Sequence, residues 1–131
     1  VPAIRYAGFY GLSQNRNGMS DRVQLDSNHL AMMAAVRAER QRQLEKWGIQ
    51  RHPHGTGNEA AKVLAEQWKA ICDANHAQGL DDWFTIAIEE FMEAAAETDL
   101  RKLFDEVVQN AAVFVAWGEA IIDEIRKQGN Q

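Results

Sequence analysis

Three things are scarce in this chain: cysteine, positive charge, and any long apolar run. The single cysteine, Cys72, cannot form an internal disulfide, so it reads as a small buried hydrophobe in a reducing compartment. No apolar stretch approaches the roughly 18 residues of a membrane span, and no signal-peptide pattern opens the sequence. The expectation is a cytoplasmic protein with no membrane partner. The formal net charge is −5, which argues against a binder of nucleic-acid polymers that works by neutralising phosphates. A small nucleotide held through a metal ion stays compatible with that charge.

What is present is an ordinary globular composition, 46% hydrophobic and 25% charged, in 131 residues, enough for one domain with a real core. Residues 1–26 form an arm or leader, with Ala3 to Tyr10 as a short strand or an apolar arm and Ser13 to Asp21 as a polar loop. Residues 27–131 form a single helical domain. Ser27-Asn28 is placed to cap a first helix to about Trp47, with Leu30, Met33, Val36, Arg40, Leu44 and Trp47 along its buried stripe and Gly48 as the stop. A loop through Pro53, Gly55 and Gly57 follows. Asn58 caps a second helix over about Glu59 to Ala77, with Val63, Leu64, Trp68 and Ile71 on one face and Gly79 ending it. Asp81 or Asp82 caps a third helix to about Glu97. Thr98 or Asp99 caps a fourth, from Leu100 to about Gln128. That last helix is apolar around much of its circumference and is expected to be central. The fold class is all-α, an antiparallel four-helix bundle-like domain completed by oligomerisation.

The chemistry concentrates in two helical stretches. One reads Glu89-Glu90-Phe91-Met92-Glu93; the other begins thirteen residues after Glu93 and reads Glu106-Val107-Val108-Gln109-Asn110. Residues three and four apart share a helix face, so Glu90 projects with Glu93, and Glu106 with Gln109 and Asn110. The short Thr98-Asp99 link sets the two helices antiparallel and brings the clusters to comparable depth. Both stretches are otherwise apolar, and burying carboxylate charge is costly unless it is paired or bound to metal. An oxygen-only donor set favours Mg²⁺, with Mn²⁺ as the alternative. An acidic bundle that holds metal and phosphate together points to phosphoanhydride hydrolysis. Solvated charges engaged in routine helix pairs are the plainer reading of any one Glu-x-x-Glu. A di-iron site would need Glu-x-x-His on two helices, and no histidine follows His76.

This pattern resembles that of the MazG-like all-α nucleotide pyrophosphohydrolases, small phage-type members in particular. Their Glu-Glu-x-x-Glu, spacer, Glu-x-x-Asp signature is matched here by Glu89-Glu90-x-x-Glu93, twelve intervening residues, and Glu106-x-x-Gln109. The likeness extends to Glu39-Arg40-Gln41-Arg42-Gln43 with Lys46-Trp47-Gly48 and on to His52-Pro53, and downstream to Trp117 and Glu119, over roughly residues 36–125. One departure stands out. Gln109 occupies the place of the usual aspartate, although small phage-type members can carry Gln there. The resemblance implies hydrolysis of an NTP or dNTP to the monophosphate and pyrophosphate, with a carboxylate-bound Mg²⁺ activating water. Glu90, Glu93 and Glu106 would be metal ligands, with Gln109 at the fourth place. Glu89 and Glu90 would be the catalytic carboxylates, Glu89 supporting the ligands or orienting the attacking water.

Gln43, Lys46, Trp47, Arg51, His52 and Asn110 complete the candidate site as nucleotide contacts. Trp47 stacks on a base or packs in the core; Lys46, Arg51 and His52 meet phosphates or solvent; Asn110 bonds the substrate or, more plainly, backbone. His52 and His54 lack a nearby cysteine and do not make a zinc site. Trp68 and Trp83 read as core or interface. Beyond the nucleotide, the expected partner is a second copy, as a homodimer or a dimer of dimers. The contrasting expectation is a catalytically weak helical nucleotide-binding or assembly module, a reading that Gln109 keeps open.

Overall fold

The computed structural model describes residues 21–130, all-α among these residues, with four helices: α1 Asp21–Trp47, α2 Glu59–Ala77, α3 Trp83–Ala96 and α4 Leu100–Gly129. The strand or arm expected over Ala3–Tyr10 lies outside the described residues. No helix among the described residues is long and apolar enough to cross a membrane. Two compact units divide the chain. One joins α1 to the second half of α4, up to Gln50 and from Val115; the other runs Arg51–Phe114.

Within the first unit, α1 departs from expectation in two ways. It already includes Asp21, so Ser27-Asn28 lies inside the helix instead of capping it, and the expected boundary at residue 26 falls in mid-helix. The buried face also differs. Leu30, Met33, Val36, Leu44 and Trp47 are all exposed, and the inward residues are Asn28, with Leu25 and Met32 half-buried. The physical reason is the facing surface. Gly118 on α4 lies against the Met32 side chain, where a Cβ would collide with it. A polar seam fixes the rest: Asn28 Nδ2 donates to the Glu119 carbonyl at 3.4 Å, and His29 Nδ1 lies 2.7 Å from Glu119 Oε1. Ser27 pairs with Arg126, so residue numbers fall on α4 as they rise on α1 and the two run antiparallel. Glu119 is buried, which makes this seam costly to open.

In the second unit the caps follow the sequence. Asn58 Oδ1 accepts from Ala61 N at 2.8 Å, Asp82 Oδ1 from Thr85 N at 2.7 Å, and Asp99 Oδ1 from Lys102 N at 2.9 Å. Each satisfies an orphan donor of a first helical turn. α2 and α3 pack on each other, antiparallel, since Asn75 reaches Thr85 while Gly57, before α2, bonds to Ala95 at the other end of α3. The face that α2 turns inward is Ala61, Ala65, Trp68, Cys72 and Asn75, a run at helical spacing dominated by small side chains. Val63, Leu64 and Ile71, expected on the packed face with Trp68, are exposed. Trp68 makes an edge-on contact with Phe84, ring centroids 6.1 Å apart.

Gly57 holds the entry to α2. Its N–H donates to the Ala95 carbonyl at 2.8 Å, its φ is +89°, and a Cβ on it would collide with the Thr98 side chain. Gly57→Ala therefore combines an unfavourable backbone with a clash. The expected loss is about 1–3 kcal/mol, read as a drop of several degrees in thermal melting. An unchanged melting temperature would contradict this packing.

α4 also differs from expectation. Leu103 and Val113 are buried, but Val107, Val108, Phe114, Ile121 and Ile125 are exposed. One chain covers a single stripe of this helix, and the rest of its apolar circumference faces outward.

Candidate metal centre

The second unit carries the carboxylates. Glu89 and Glu90 are the most deeply buried large side chains, with 0% and 1% of their surface exposed. They sit in the middle of α3, where Ile86, Ala87 and Met92 surround them with apolar buried neighbours along the helix. Glu93 follows one turn on, and Glu106 projects from α4, both half-buried. One carboxylate oxygen from each of Glu90, Glu93 and Glu106 lies within 4.8 Å of the others. α3 and α4 are antiparallel at this level, because Glu90 is opposite Asn110 and Glu93 opposite Glu106.

Three carboxylates at that separation repel one another, and the environment records it. Burial raises Glu93 from its ordinary 4.5 to about 7, helped by the charges of Glu90, Glu106 and Glu89. Burial also raises Glu106. Glu93 Oε2 and Glu106 Oε2 are buried without a hydrogen-bond partner among the described residues, although the two side chains lie close enough to share a hydrogen bond when one of them is protonated. Buried carboxylate oxygens without donors are rare in stable proteins and call for a compensating charge. The donor set is all oxygen, close enough to converge on one small ion, and lacks the nitrogen or sulfur that would favour zinc or copper. These residues fit a hard divalent cation.

The other candidates fall as follows. Gln109 is half-buried, one turn beyond Glu106 on the same helix. Asn110 donates Nδ2 to the Glu90 carbonyl and to the Glu106 carbonyl, each at 2.8 Å, so its amide nitrogen is committed to backbone. Arg51 and His52 open the second unit and are exposed. Gln43, Lys46 and Trp47 belong to the first unit, at the end of α1. Trp47 keeps 54% of its surface exposed, so core packing does not account for it within the chain, and the Lys46 ammonium lies 4.9 Å from its ring centre. Gln43 accepts from Arg40 at 2.6 Å.

The sequence reading missed the seam of Asn28, His29 and Glu119. A signal was present, a lone glutamate between Gly118 and Ala120 in an apolar run, but its partner lies 90 residues away. No protein-family model matches the chain, and neither a curated protein nor a solved structure matches it. The case for function therefore rests on the residues themselves.

Proposed function

We propose that this chain is a Mg²⁺-dependent nucleoside triphosphate pyrophosphohydrolase of the MazG-like kind, a bundle-like domain that works as a homo-oligomer. The observation that carries the reading is the convergence of Glu90, Glu93 and Glu106 within 4.8 Å, with donor-less buried oxygens on Glu93 and Glu106. Glu90, Glu93 and Glu106 hold the ion, with the Gln109 amide oxygen as a neutral fourth donor. An ion held there, Mg²⁺ or Mn²⁺, would supply charge neutralisation for the phosphates and activation of water.

Water adds at the α–β phosphoanhydride, the bridging P–O bond breaks, the monophosphate and pyrophosphate separate, and the proton of the attacking water passes to the carboxylate cluster. The complete burial of Glu89 favours a supporting role behind the ligands over direct contact with solvent water. Arg51, His52 and the Trp47 ring are exposed, and their roles as polyphosphate and base contacts are carried by the family resemblance. The assignment of Gln43 and Lys46 rests on the family resemblance.

Two results test this reading. Gln109→Asp adds a fourth negative ligand and is expected to tighten Mg²⁺ about tenfold by calorimetry, because affinity follows ligand charge. Weaker binding in that variant would remove Gln109 from the site. Below pH 7 the Glu93 carboxyl carries a proton that the ion must displace. Mg²⁺ binding at pH 6 is thus expected to release close to one proton, and at pH 8.5 almost none, measured by titration in buffers of different ionisation enthalpy. Proton release that does not change with pH would place the ion elsewhere.

A catalytically weak nucleotide-binding or assembly module is the second reading. The exposed apolar faces of α1 and α4 favour assembly, and the neutral Gln109 favours weak catalysis. Turnover separates the two.

A further inference from the structure

We infer that Asn110 is a positioning residue that locks the register of α3 against α4 and so sets the convergence of the carboxylate triad. The inference deepens the proposed function and rests on its metal site. The Asn110 amide has two protons, and its nitrogen sits 2.8 Å from the Glu90 carbonyl and 2.8 Å from the Glu106 carbonyl. Those carbonyls belong to two of the three triad residues, one on each helix. A helical carbonyl has a second lone pair after its own ladder bond, so both can accept.

The magnitudes make the lock consequential. A slip of one helical turn moves a side chain by about 5.4 Å, more than the whole spread of the triad. The triad oxygens span at most 4.8 Å. The bridge from Asn110 ties the two backbones together at the level of the triad without adding charge. An aliphatic residue at 110 would keep α4 helical and leave the register to apolar contacts that tolerate sliding.

Two measurements test it. In the first, Mn²⁺ affinity is measured by electron paramagnetic resonance well below the melting temperature for wild type, Asn110→Leu, Asn110→Asp and Gly57→Ala. Gly57→Ala controls for general loss of stability. Both Asn110 variants are expected to bind about tenfold more weakly or worse, as supporting partners of metal ligands typically do when removed. Gly57→Ala is expected to stay within about twofold of wild type, and a loss in that variant equal to the loss in the Asn110 variants would overturn the positioning role.

The second measurement needs no metal. A Glu93→Cys/Glu106→Cys protein on a Cys72→Ala background is treated, in EDTA, with dibromobimane, which bridges two nearby thiols. Cross-linking is expected to slow about tenfold when Asn110 is changed to Leu or Asp; the aspartate variant carries the test if the leucine variant does not fold. Unchanged cross-linking in a folded variant would overturn the inference. Absence of Mn²⁺ binding to wild type would instead overturn the metal site, and the cross-linking rates would still decide the role of Asn110.

Discussion

Glu93→Ala is expected to abolish Mg²⁺-dependent pyrophosphate release, by at least about a hundredfold, and to remove any rise of melting temperature on adding Mg²⁺. Glu93 is the middle member of the triad in two senses. It shares a helix face with Glu90, and it is opposite Glu106 across the α3–α4 contact. Removing it leaves two carboxylates, Glu90 and Glu106, on different helices, with only the neutral Gln109 oxygen to add to them. The substitution also relieves repulsion, so the metal-free variant is expected to be at least as stable as wild type at pH 8. That combination, a sturdier fold with lost metal response, distinguishes a ligand from a residue that merely holds the structure. A variant that still melts higher with Mg²⁺ would remove Glu93 from the site.

The second large effect is a stability that falls as pH rises. Glu93 titrates near 7 in the folded protein and near its ordinary 4.5 when unfolded. Below about pH 4.5 both states hold the proton and the group contributes no penalty. Between 4.5 and about 7 the unfolded chain has released it while the folded chain retains it, so the native state binds more protons and stability declines with pH. Above about 7 the penalty is complete. The full linkage of such a change is about 3 kcal/mol, and solvent screening of this half-buried group reduces it to about 1–2 kcal/mol. The raised Glu106 acts in the same direction.

The measurement is melting from pH 4.5 to 8.5 in EDTA for wild type and Glu93→Gln, whose difference isolates the group. Wild type is expected to lose about 5 °C relative to the variant across that window, and saturating Mg²⁺ to restore it at pH 8. Parallel curves would mean that the triad is open to solvent and unstrained.

The limits of the sequence are physical. Asn58, Asp82, Asp99 and Gly48 were legible because a cap or a stop is a local event, decided by the residue and its neighbours within one turn. The triad was legible for a related reason: an i, i+3 pair plus a short antiparallel link fixes geometry without reference to the rest of the fold.

Which face of each helix is buried was less legible. On α1 the large apolar residues Leu30, Met33 and Leu44 suggested one stripe, while the structure packs Leu25, Asn28 and Met32. On α2 the packed face is built on Ala61, Ala65 and Cys72, small residues that let helices approach closely but carry little hydrophobic signal. A periodic apolar stripe marks a surface that needs covering; it does not say whether this chain or another covers it. For Asn110 a bond to backbone was the plainer reading beside a substrate contact, but which carbonyls accept it was not legible, because a backbone acceptor on a neighbouring helix leaves no trace in sequence.

The most direct test of the central claim is a pyrophosphate-release screen over canonical and modified NTPs and dNTPs, with Mg²⁺ and with EDTA, beside Glu90→Ala. The account predicts release that requires Mg²⁺, is lost in the variant, and singles out a preferred nucleotide. Release from no nucleotide, by a protein that is folded and supplied with Mg²⁺, would contradict it and leave the assembly reading in its place.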